Sequence, residues 1–156
     1  MIKNLLSTGS ILIFFMMATT NITAQNSPDQ SGKKIISTEK APAAIGPYSQ
    51  GIVAGGLLFT SGQLPIHPVT GKVPATVEEQ TIQVLDNLKA VVEAAGLTLR
   101  NVVKTTVYLQ RMGDFDTMNK IYATYFPNNP PARATVEVSK MAKNALVEID
   151  AVAVLK

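Results

Sequence analysis

The segment TVEEQTIQVLDNLKAVVEAAG, residues 76–96, restricts the fold more than any other part of the chain. Thr76 and Glu79 stand three residues apart, the spacing at which a threonine and a glutamate satisfy each other's backbone N–H groups at a helix start. Val77, Thr81, Val84, Leu85, Leu88, Val91, Val92 and Ala95 then recur at helical intervals. Gly96 follows where a left-handed residue ends a helix. Glu79, Gln83, Asp86 and Lys89 fall on the opposite side. A helix this long, apolar along one stripe and charged along the other, needs a broad apolar surface to lie on.

The rest of the chain supplies that surface as strands. VVKTTVYLQ (102–110) alternates, which predicts Val103, Thr105, Val107 and Leu109 on one face. ARATVEV and ALVEIDAVAV alternate as well, and GIVAG followed by GLLFTSGQLP reads as a hairpin running into a Ser-Gly turn. A second helix, DFDTMNKIYATYF, is expected to be capped by Asp114 and to bury Phe115, Met118, Ile121, Tyr122 and Tyr125. The order β-β-β-α-β-α-β-β predicts an α+β domain, a mixed sheet with both helices on one face. The other face is expected to carry Lys104, Thr106, Arg133, Thr135, Glu148 and Asp150 among Val102, Val152 and Val154. A small domain with such a mixed face is expected to use it as an oligomer interface holding a site.

With 156 residues the chain makes one domain, and its 46% apolar content provides a core. A net charge of +3 with scattered lysines lacks the basic face of a nucleic-acid binder. The absence of cysteine excludes disulfides, thiol catalysis and thiolate metal sites, and the single histidine argues against an imidazole-built metal site. At the N-terminus, Lys3, the apolar run ILIFFMMA (11–18) and the ITA ending at Ala24 read as a secretory signal peptide cut before Gln25. The cleaved product is expected to be periplasmic or secreted and free of the membrane. Residues 25–34, rich in turn formers, read as a flexible leader, and the folded domain is expected over 35–156.

Candidate chemistry is sparse. Arg133 opens a strand directly after Pro130 and Pro131, so its guanidinium is aimed by a restricted backbone. It could clamp a carboxylate in two parallel hydrogen bonds, or it could pair with Glu137 or Glu148. Glu148 sits in an otherwise apolar strand, where burial raises a carboxyl's proton affinity toward the range useful for proton transfer. Asp150 points the same way. The turn at Ser61 offers a hydroxyl and free backbone N–H groups. Tyr48, between glycine and proline, could cover a pocket. Asn119 could orient a neighbour, and His67 reads as a solvated loop residue. No Ser-His-Asp or Cys-His set is available, and phosphate-loop and dinucleotide fingerprints are absent.

Six stretches in order, APAAIGPYSQG, FTSGQLPIHPVTGKVP, TIQVLDNLKAVVEAAG, VVKTTVYLQRMGDFDTMNKIY, PPARATVEV and VEIDAVAV, resemble the reactive-intermediate deaminase family (RidA, also called YjgF). The resemblance covers the chain from about Ile35 to Lys156. It implies a chorismate-mutase-like fold assembled as a homotrimer with sites in clefts between subunits. It implies hydrolysis of short 2-imino acids, such as 2-aminoacrylate or 2-iminobutanoate, to 2-keto acids and ammonia, without cofactor or metal. Arg133 then corresponds to the family's carboxylate-binding arginine and Glu148 to the acid that activates water. Tyr48, Ser61 and Asn119 correspond to pocket residues, and Gly62 to a backbone contact. Thr135 stands where many deaminating members have cysteine, and its backbone can still contact substrate. Asp150 stands where the family has glutamate. Two other readings are a non-catalytic trimer that binds small carboxylates and a ribonuclease, the latter at odds with the charge and the lone histidine.

Overall fold

The computed structural model describes residues 32–155. The signal-peptide assignment, residues 1–24, lies outside the described residues, as does the leader up to residue 31. The first strand begins at Lys34, one residue before the predicted domain start.

The elements are β1 (Lys34–Ile36), β2 (Gly51–Ala54), β3 (Leu57–Thr60), α1 (Val77–Ala94), β4 (Val102–Leu109), α2 (Phe115–Tyr125), β5 (Ala132–Glu137) and β6 (Val147–Val154). They form one six-stranded sheet in the order β1-β2-β3-β6-β4-β5. Only the β4–β5 pair is parallel; the other neighbours run antiparallel. The last strand therefore inserts between β3 and β4, and α1 and α2 serve as crossovers between strands running in the same direction. Both helices lie on one face of a mixed sheet, as the alternation and the helix stripes predict.

α1 follows its sequence signals closely. Thr76 Oγ1 accepts from Glu79 N at 3.2 Å, and the Glu79 carboxylate reaches back to Thr76 N, which closes the capping box. Gly96 takes φ +79° just past the C-cap. Val84, Leu85, Leu88, Val91 and Val92 are fully buried against Leu58, Val107, Val147, Ile149, Ala151 and Ala153. The small Ala151 and Ala153 let α1 lie close over β6, so the larger side chains interlock instead of stacking end to end.

Three expectations are corrected. Asp114 makes no capping hydrogen bond; it belongs to a short 3₁₀ turn and pairs with Arg111 at 3.3 Å. Val103 is exposed while Val102 is buried, because the β4–β6 register shifts between Val102 and Lys104. One extra residue at that bulge returns the alternation to the opposite phase, which moves Val102 from the outer face into the core. Finally, Arg133 and Thr135 do not share a face with Glu148. Arg133 is paired with Thr105 and Thr135 with Val107, and both partners are fully buried beneath the helices.

Candidate active site

The positions singled out in the sequence form two groups on opposite faces of the sheet. The first lies under α2. Laterally paired strand residues point to the same side, so the register Thr105↔Arg133 turns the arginine toward the helix. Its Nη2 donates to Asn119 Oδ1 at 2.8 Å. Its guanidinium carbon stands 4.6 Å from the Tyr122 ring centroid and 5.6 Å from that of Phe115. Phe115, Asn119 and Tyr122 fall on one stripe of α2, so a single helix face provides both the hydrogen bond and the aromatic surfaces. Tyr122 is fixed in turn by a 2.8 Å hydrogen bond with Thr105 Oγ1.

Arg133 is thus held at its flanks. Neither proposed ion-pair partner reaches it: Glu137 accepts from Met112 N at 2.6 Å, and Glu148 lies on the far face. Among the described residues no carboxylate lies within ion-pairing distance of Arg133. A partly buried guanidinium with ordered sides and no resident anion can receive one. Thr135, two residues along β5, faces the same side.

The second group collects where β3 ends. The β3–β6 ladder runs to Phe59↔Val152 and resumes at Gln63↔Ile149, so three residues of one strand span two of the other. Thr60 Oγ1 accepts from Ala151 N at 2.9 Å, replacing a ladder bond across this bulge. Ser61 and Gly62 are pushed out of the ladder. Ser61 N donates to Gln50 O at 3.0 Å, and Ser61 Oγ donates to Ser49 O at 2.7 Å, which ties the turn to the Tyr48 loop. The sequence reading expected several free N–H groups here. Gln63 N is also taken, by Ile149 O, and among the described residues Gly62 N and Leu64 N are the ones in this turn left without a partner.

Glu148 closes this group. A Cβ on Gly62 would overlap the Glu148 carboxyl, with the carboxyl carbon only 2.8 Å away. Any side chain at this position would push the Glu148 carboxyl aside. Burial, and after it the charge of Asp150, pushes the Glu148 carboxyl above the ordinary glutamate range. Tyr48 stays 47% exposed at the mouth, its hydroxyl accepting from Ile45 N at 3.2 Å, and it lines one small cavity together with Gly62, Gln63 and Leu64. His67 is exposed and its Nδ1 accepts from Val69 N and Thr70 N, a turn-building role.

Sequence reasoning missed two contributions. Phe115 and Tyr122 were read as core residues, yet they flank the guanidinium; their i, i+3 and i+4 relation to Asn119 was the available signal. Asn87, buried on α1, donates to the carbonyls of Leu64 and Ile66 at 2.9 Å and anchors the segment that follows Gly62. Its position among Val84, Leu88 and Val91 on the buried side of α1 was its mark.

The model of the endoribonuclease L-PSP family matches residues 38–155. The chain belongs to this family, the RidA/YjgF family. Among family members, the 2-iminobutanoate/2-iminopropanoate deaminase of Escherichia coli is 51% identical over 124 residues, 78% of this chain and 97% of that protein. A RutC family protein of Pyrococcus horikoshii is 54% identical over 122 residues, covering 78% of this chain and 97% of its own. The crystal structure of Escherichia coli TdcF with bound serine superposes with a TM-score of 0.77 at 44% identity, covering 79% of this chain and 99% of that one. The RidA/YjgF fold accounts for the mixed six-stranded sheet and its two helices.

Gly62→Ala is expected to displace the Glu148 carboxyl without unfolding the domain, since the contact is confined to one side chain. Misplacement by about 1 Å costs on the order of 10²-fold in turnover. Kinetics alongside a thermal melt would check this; unchanged turnover would show that the close approach has no catalytic meaning.

Proposed function

We propose that this protein hydrolyses short 2-imino acids such as 2-aminoacrylate and 2-iminobutanoate to 2-keto acids and ammonia, in clefts between the copies of a homotrimer. The observation that carries the reading is Arg133: a guanidinium ordered by Asn119, Tyr122 and Phe115, with no carboxylate partner among the described residues. The 51% identity to an Escherichia coli protein named for this deamination supports the reaction class. A relative crystallised with serine supports a small carboxylate-bearing occupant.

The chemistry matches the residue types. Arg133 holds the substrate carboxylate in a bidentate pair. The imine carbon is already electrophilic, so catalysis consists of placing water and moving protons. Glu148 takes a proton from the water as its oxygen bonds to C2. Returned to the nitrogen as the C=N pair moves there, that proton gives the neutral amino-alcohol. Glu148 then takes the hydroxyl proton and passes it to the amine, the C=O forms as the C–N bond breaks, and ammonia leaves the 2-keto acid. Gly62 N–H is the donor available beside Glu148, Tyr48 and Ser61 line that side, and Asn119 and the Thr135 backbone line the arginine side.

Because Arg133 and Glu148 occupy opposite sheet faces, one copy does not complete the site. The face of Glu148 also leaves Phe59, Val103, Val136 and Val154 at 39–45% exposure, an apolar surface suited to other copies of the chain. Co-expression of Arg133→Ala and Glu148→Gln chains tests the arrangement, with 2-iminobutanoate generated in situ. At substrate well below KM each variant alone is expected to be nearly inactive, and the mixture to regain turnover at roughly a quarter of its clefts on random assembly. No recovery in a mixed trimer would place both residues in the same copy's site and sink the shared-cleft reading. A wild type that binds 2-ketobutyrate through Arg133 without turning over imine would instead establish a binding protein. From residues 1–24 alone we also propose export to the periplasm or beyond; recovery of a cell-envelope form beginning at Gln25 tests it.

A further inference from the structure

Asp150 stands two residues from Glu148 on β6 and shares its face of the sheet. Across the ladder, Tyr108 is paired with Glu148 and Thr106 with Asp150. The Tyr108 hydroxyl nevertheless reaches diagonally and donates to Asp150 Oδ2 at 3.0 Å. Among the described residues no hydrogen bond or ion pair reaches the Glu148 carboxyl. Two carboxyls on one face are therefore treated differently: one is tethered by a phenol and the other is left for a ligand. The Tyr108 hydroxyl thus fixes the Asp150 carboxylate beside Glu148 by a charge-assisted hydrogen bond.

The groups facing Glu148 are few. Its own strand contributes Asp150, and β4 contributes Tyr108, with Lys104 on the same face two pairs further along and bonded to Thr105 O at 2.9 Å. The turn after β3 contributes Ser61 and Gly62, which carry no charge, and Tyr48 is the titratable group of the adjoining loop. In the trimer proposed above, Arg133 of a second copy adds a positive charge across the cleft.

We propose that Asp150, tethered by Tyr108, is a positioning residue that keeps a proton on Glu148 at the pH where the departing nitrogen needs one, and so sets the pH window of turnover. This rests on the deaminase reading. Asp150 acts through Glu148, and Tyr108 acts through Asp150. Burial and the charge of Asp150 push the Glu148 carboxyl in the same upward direction, and burial together with the bond to Asp150 raises the Tyr108 phenol, which keeps it a donor.

The test follows the Glu148 side-chain carboxyl by carbon NMR across a pH titration of the intact protein, and measures the pH profile of kcat/KM for 2-iminobutanoate on the same samples. In Asp150→Asn the Glu148 midpoint is expected to fall toward the ordinary glutamate value and the profile to move to lower pH, with KM on its plateau little changed. Asp150→Glu is expected to restore both. Tyr108→Phe, which lets Asp150 turn toward water, is expected to shift both in the same direction by less, and it serves if Asp150→Asn does not fold. A Glu148 midpoint unmoved in folded Asp150→Asn overturns the proposal, as does a midpoint that falls while the profile of an active enzyme stays in place. A wild type without turnover sinks the deaminase reading itself, and with it any role for Asp150 in turnover. An active wild type with an unmoved midpoint sinks only the role of Asp150.

Discussion

Replacing Arg133 by alanine is expected to lower kcat/KM for 2-iminobutanoate by ~10²–10⁴-fold, since two charge-assisted hydrogen bonds are worth about 1.5–3 kcal/mol each. The loss should fall mainly on KM, because the carboxylate is held equally in substrate and transition state. Arg133→Lys keeps the charge but loses the planar fork and its stacking on Tyr122 and Phe115, so it should recover only a small part of the activity. The domain should stay folded in both variants, because the guanidinium pairs with no carboxylate among the described residues and Tyr122 keeps its bond to Thr105. Kinetics with a thermal melt would check this. An alanine variant with wild-type KM would remove Arg133 from the substrate-binding role.

Glu148→Gln should abolish deamination while leaving carboxylate binding through Arg133 in place, because glutamine keeps the shape and loses the transferable proton. Its effect on stability has the opposite sign. The folded Glu148 carboxyl takes up protons more readily than its unfolded counterpart, because burial and then Asp150 penalise its anion. Stability linked to this group is therefore fully present below the unfolded value, and it is lost as pH rises through the raised folded value. At neutral pH the variant, which has no charge to bury, should melt higher than wild type. The difference should vanish below about pH 4, where both side chains are uncharged. Melting curves across that range would check it, and a variant less stable than wild type at pH 7 would mean that the anion is favourably paired in the assembled protein. In the trimer proposed above, Arg133 of a second copy would be the group to do this.

The elements were legible where local periodicity carries the information. The capping box at Thr76 and Glu79, the apolar stripe of α1 and the stop at Gly96 depend on residues three to four positions apart, and each stands as expected. The second helix was legible in its stripe but not in its start. Asp114 has the side chain of a cap, yet a 3₁₀ turn and Arg111 claim it, an outcome set by competition among neighbours. In β4 the alternation was right in period and wrong in phase at Val102 and Val103, because a single-residue bulge is a property of the pair β4–β6 and not of either strand.

The same distinction applies to the site. The sequence by itself determined the chemical groups: an arginine aimed by two prolines, a glutamate and an aspartate in an apolar strand, a Ser-Gly turn, and the family motifs that join them. Only the tertiary structure decided which groups meet. Alternation divides a strand into two faces without saying which one the helices will cover. That choice came from the parallel register Thr105↔Arg133 and the antiparallel register Tyr108↔Glu148, which send the arginine beneath α2 and the glutamate to the open side. Strand register is set by residues tens of positions apart in the chain, so the separation of Arg133 from Glu148 could not be read from either segment alone.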